Sequence, residues 1–74
     1  MLFEKVKTII CDYFELDEDE VNPETTFAEI GADSLDMVDI IMSCEDEFHV
    51  EIPDEVLDSL VLVKDVVDYI EKNM

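Results

Sequence analysis

The apolar residues of this chain recur at intervals of three and four and nowhere alternate, which leaves helices as the regular structure it can build. From Leu2 to Leu16 they stand at 2, 3, 6, 9, 10, 13, 14 and 16, the apolar face of a first amphipathic helix. A second helical run extends from about Ser34 to Phe48. Pro53 suits the first turn of a short third helix through Asp54, Glu55, Val56, Leu57 and Leu60, because its missing N–H would be unpaired there anyway. Val63, Val66, Val67, Tyr69 and Ile70 restore the spacing in a last helix, although Val61-Leu62-Val63 offers no capping side chain at its start. The expected fold is an all-α four-helix bundle of three longer helices and one short one, with residues 1–74 forming a single domain.

Between the first two helices, Asp17-Glu18-Asp19-Glu20-Val21-Asn22-Pro23-Glu24-Thr25-Thr26 breaks the helical period with four consecutive acids, a proline and two threonines. The connection runs on through Phe27 and Ile30 to Gly31, well beyond the roughly 2–8 residues usual between helices. A connection of that length in so small a domain needs anchors, and Val21, Phe27 and Ile30 are the candidates. Gly31 is the only glycine, and its position just before the second helix calls for a backbone free to adopt positive φ.

Charge narrows the function classes. Twenty-two Asp and Glu against four Lys and no Arg give a net charge of −18. Phosphate backbones and anionic leaflets both demand basic surfaces, so nucleic-acid binding and docking on such a leaflet are excluded. The usual reading of such acidity is disorder, but apolar residues make up 49% of the chain, enough for a core. No apolar run approaches the roughly 18 residues of a membrane span, so stable membrane insertion is not expected. The first residues lack the basic start and apolar core of a signal peptide, and a cytoplasmic protein is expected. Cys11 and Cys44 lie within amphipathic segments, without the short spacing of metal or redox pairs, and are read as reduced, packed thiols. His49 has no partner at catalytic or metal-ligand spacing and is read as a loop residue. Asp17-x-Asp19 opens like a calcium loop, but Val21 stands at the third ligand position and no glycine follows, so no specific metal site is expected.

The chemistry concentrates at the start of the second helix, in Gly31-Ala32-Asp33-Ser34-Leu35-Asp36. Asp33 is a good N-cap, and Asp36 three residues later can complete a capping box and favour the helix dipole. Ser34 then occupies the first helical position with a hydroxyl that capping does not need, beside the unpaired N–H groups of a helix start, where a covalently attached phosphate is favoured. The plainer alternative makes Ser34 itself a capping serine. Along the same helix Met37, Ile40, Ile41, Cys44 and Phe48 fall on one side, a core stripe. Leu35, Val38 and Met42 fall on roughly the opposite side, flanked by Asp39, Glu45 and Asp46. That second stripe is either covered by the long loop or the third helix, or it is a docking face for basic partners.

Phe27-Ala28-Glu29-Ile30-Gly31-Ala32-Asp33-Ser34-Leu35-Asp36, followed by Glu45-Asp46-Glu47-Phe48 and Glu51-Ile52-Pro53-Asp54, resembles the acyl carrier proteins of bacterial fatty-acid synthesis over essentially the whole chain. The resemblance implies that Ser34 carries a covalent 4′-phosphopantetheine delivered from coenzyme A by a holo-synthase (a phosphopantetheinyl transferase), making the chain a non-catalytic carrier of acyl thioesters. It implies docking through Asp33, Leu35, Asp36, Val38, Asp39, Met42, Glu45 and Asp46. The partners implied are the holo-synthase, malonyl transferase, ketosynthases, reductases, dehydratases and acyltransferases with basic patches. It also implies an acyl chain lying among core residues such as Phe27, Ile41, Cys44, Ile52, Leu57 and Val66. A carrier shuttling among many enzymes is expected to be a monomer with quickly released contacts. Two alternatives remain at this stage: a specialised carrier for polyketide, peptide or D-alanine pathways, and a small acidic protein that binds cations or mimics nucleic acid.

Overall fold

The computed structural model describes residues 2–74, and in it the expected helices form: α1 (Leu2–Phe14), α2 (Ser34–Phe48), α3 (Asp54–Leu57) and α4 (Val63–Asn73). A single 3₁₀ turn, Glu18–Glu20, interrupts the loop between α1 and α2. Helix α1 packs against both α2 and α4. The centre of the core is made by Val6 and Ile10 of α1, Ile40 and Cys44 of α2, and Val63, Val66 and Ile70 of α4, all without solvent exposure. These are the apolar positions that the three-four spacing puts on one face of each helix.

Helix α1 stops two residues short of the end its apolar pattern suggests. Glu15 turns into the left-handed region at φ 55°, and the Leu16 N–H returns to the Cys11 carbonyl at 3.0 Å, closing the helix with a Schellman-type turn. Leu16 still packs against the core, now from the loop. His49 ends α2 in the same backbone region, at φ 57°, with its N–H donating to Glu45 O at 2.8 Å. Helix α3 ends at Leu57, so Leu60 is buried from the turn that follows and not from the helix.

The long first loop is anchored as its apolar residues suggest. Val21 and Phe27 are buried, and Ile30 is half-buried against the core. Its backbone also supplies the partners that α4 lacks in side chains. The N–H groups of Val63 and Lys64, in the first turn of α4, donate to Thr25 O at 2.9 Å and Pro23 O at 3.0 Å. Those of Val61 and Leu62 donate to one Asp65 carboxylate oxygen at 3.1 and 2.9 Å. The Phe27 N–H donates to Val61 O at 3.1 Å, and Thr26 and Leu62 form an isolated antiparallel bridge. Four donors at a helix start without an N-cap are thereby satisfied by a distant loop and by a side chain from within the first turn. Among the described residues, no helix is long and apolar enough to cross a membrane.

Candidate functional site

The loop approaches α2 through two interlocked turns. The Thr26 N–H donates to Glu29 Oε1 at 2.7 Å, and the Glu29 N–H donates to Thr26 Oγ1 at 3.1 Å. The Ala32 N–H then reaches back to Phe27 O at 3.0 Å across Gly31, whose φ is 83°. Nothing lies within 4 Å of where a Cβ at Gly31 would sit, so the backbone angle and not crowding is what calls for glycine.

Asp33 caps the helix that follows. Its Oδ1 accepts the Asp36 N–H at 2.9 Å, and Asp36 Oδ2 accepts the Asp33 N–H at 3.2 Å, a reciprocal box built from two aspartates. With the cap provided by Asp33, Ser34 is the first helical residue, exposed, and its hydroxyl takes no part in capping. The alternative that made Ser34 the capping residue therefore does not apply. The other hydroxyls mostly have partners: Thr8 and Ser59 donate to the carbonyls of Glu4 and Val56, and Thr25 and Thr26 accept from the N–H groups of Asn22 and Glu29. Among the described serines and threonines only Ser34 and Ser43 lack such bonds, and Ser43 lies in the middle of α2.

The second apolar stripe of α2 faces outward. Leu35 is 76% exposed, Met42 57% and Val38 39%, so neither the loop nor α3 covers it. Asp33, Asp39 and Asp46 are exposed beside it, and Asp36 is half-buried. Glu45 has an additional structural task, because its Oε2 accepts the Ile52 N–H at 2.7 Å and ties the segment after α2 back to the helix. The pocket residues inferred from resemblance lie inward: Phe27, Ile41, Cys44, Ile52 and Val66 are buried and Leu57 is half-buried, all packed in one core cluster. The surface clefts between α1 and α2 are lined by other residues, Thr8, Asp12 and Glu47 among them.

Both cysteines are buried free thiols. Burial, reinforced by Glu45 and Glu47, pushes the Cys44 thiol up to about 12. Cys11 is also raised, chiefly by burial, and its Sγ lies 3.7 Å from Asp17 O.

One residue that periodicity assigned only to the face of α1 reaches the site. The Tyr13 hydroxyl lies 2.9 Å from Asp36 Oδ1 and 2.9 Å from Asp39 Oδ2. Bonds to the two carboxylates, Asp39 first, hold the phenolic proton and raise its pKa well above the usual tyrosine range. A contact across 23 and 26 residues leaves no local signal in sequence.

An exposed hydroxyl at the first residue of a capped helix fits a group attached through a phosphoester, and the comparisons agree with that chemistry. Residues 4–70 match the family model described as "Phosphopantetheine attachment site". The "Acyl carrier protein" of Helicobacter hepaticus is 47% identical over 72 residues, covering 96% of this chain and 95% of that protein. The "Acyl carrier protein" of Thermosynechococcus vestitus is 49% identical over 74 residues, with 99% and 91% coverage. That of Helicobacter pylori is 47% identical over 73 residues, with 97% and 94% coverage. The matches run from α1 to α4 and include the Asp33-Ser34-Leu35-Asp36 helix start, and on that extent this chain belongs to the phosphopantetheine attachment-site family.

Proposed function

We propose that Ser34 takes the 4′-phosphopantetheine group and that the chain carries growing acyl chains among the enzymes of fatty-acid synthesis in the cytoplasm. The observation that carries this reading is the unengaged, exposed Ser34 hydroxyl at the start of α2, inside a family match that spans residues 4–70. In the attachment step the Ser34 oxygen forms a phosphoester and displaces the adenosine 3′,5′-bisphosphate portion of coenzyme A. This chain supplies the nucleophile and the transferase supplies the base, since the Asp33 and Asp36 carboxylates are directed into the capping box. When bound, the group supplies a terminal thiol on which acyl chains ride as thioesters.

The remaining roles follow from placement. Leu35, Val38 and Met42 offer apolar contact to each partner enzyme, and Asp33, Asp36, Asp39, Glu45 and Asp46 steer its basic patch toward Ser34. An acyl chain shelters among Phe27, Ile41, Cys44, Ile52, Leu57 and Val66 when the helices part, which a core this small permits at modest cost. The chain acts as a monomer, because a second copy seated on the outward stripe of α2 would block the enzymes it serves.

Intact mass after incubation with coenzyme A and a promiscuous phosphopantetheinyl transferase tests the reading. Wild type and Ser43→Ala should each gain one phosphopantetheine, and Ser34→Ala none. A folded wild type that gains nothing, or a Ser34→Ala variant that gains the group, would overturn it.

A further inference from the structure

We propose that Tyr13 is a positioning residue for partner recognition, its hydroxyl reaching from the last turn of α1 to hold the Asp36 and Asp39 carboxylates in one arrangement on the docking face. This rests on the reading of the outward face of α2 as the surface that partner enzymes meet. Asp36 and Asp39 lie three residues apart on one helix, so two like charges project side by side and repel. The Tyr13 hydroxyl sits between them at 2.9 Å from each, with one hydrogen for two acceptors. It therefore shares that one hydrogen between the two carboxylates in a three-centre bond, offsetting the repulsion without cancelling either charge.

The geometry makes Tyr13 a brace. Its ring packs edge-on against Phe14, with centroids 4.9 Å apart and planes at 73°, and a tyrosine side chain has only two main torsions to fix. Asp36 is held at both oxygens, Oδ1 by Tyr13 and Oδ2 by the Asp33 N–H, two residues from the Ser34 hydroxyl. A guanidinium or ammonium arriving from a partner meets carboxylates already oriented, so less ordering remains to be done on binding. A phenylalanine at position 13 would keep the ring and its contact with Phe14 while removing only the brace.

Steady-state loading of the apo protein by a phosphopantetheinyl transferase, with the carrier as the varied substrate, separates this role from a purely structural one. Tyr13→Phe should raise KM for the carrier about threefold or more, a size typical of coupled neighbours, with kcat unchanged and the helical fold retained at the assay temperature. In an Asp36→Asn/Asp39→Asn background the same substitution should add nothing, because no carboxylates remain to be held. A Tyr13→Phe KM equal to that of wild type, or an undiminished effect in the Asn background, would overturn the proposal. Either result with wild type still loaded on Ser34 leaves the carrier function standing, whereas failure of wild type to load removes both.

Discussion

Ile40, Ile41 and Cys44 on one side of α2 and Leu35, Val38 and Met42 on the other have similar side-chain chemistry and opposite surroundings. The first three are buried in the core, whereas Leu35 and Met42 have more than half of their surface in water. Burying such side chains stabilises a fold by about 1.5–3 kcal/mol each, so the outward set forgoes stabilisation that a chain of −18 net charge could use. One face folds the protein, and the other, on the function proposed above, is kept for contact. The acids divide in the same way, since Asp33 and Asp36 cap the helix, Tyr13 braces Asp36 and Asp39, and Asp46 stands exposed beside the outward stripe.

The largest expected difference between the faces is in stability. Ile40→Ala should cost about 2–5 kcal/mol in urea unfolding, through lost burial and the cavity left behind. Met42→Ala should shift it by less than about 0.5 kcal/mol while weakening capture by a phosphopantetheinyl transferase. Comparable losses of stability at the two positions would erase the distinction.

A smaller effect compares Cys44 inside with Met42 outside by reagent. Native apo protein should react with a thiol probe only as fast as it unfolds, and dilute peroxide should oxidise Met42 without unfolding it. The raised Cys44 thiol adds a pH dependence. Because the folded chain keeps this proton up to about 12 while an ordinary thiol at 9.0 releases it, the contribution is fully present below about pH 9 and is lost as pH climbs toward 12. Urea midpoints between pH 8 and 11 should fall less in Cys44→Ala than in wild type. An identical decline in both would show that the thiol does not contribute.

Much of this was legible in the residues. Three-four spacing is a local property, and it located α2 and the core stripe of every long helix. The Asp33-Ser34-Leu35-Asp36 run announced both the capping box and the spare hydroxyl, because caps depend on neighbours three residues apart. What was hidden depends on contacts distant in sequence or on a backbone reversal. The apolar spacing passes through Leu16 without marking Glu15, which turns left-handed without being a glycine. The start of α4 looked uncapped because its partners are carbonyls some 40 residues earlier, those of Thr25 and Pro23. Whether anything covered Leu35, Val38 and Met42 required the packed loop and α3, and Tyr13 carries no pattern that points to Asp36 and Asp39.

The central claim is that the outward face of α2 is where partners meet the carrier, and amide chemical shifts of the isotope-labelled protein titrated with a ketosynthase test it most directly. The account predicts perturbations concentrated on Ser34, Leu35, Val38, Asp39 and Met42, with α4 from Val66 to Ile70 little changed. Perturbations centred on α4 or on the Glu18–Glu20 turn, with α2 unmoved, would contradict it.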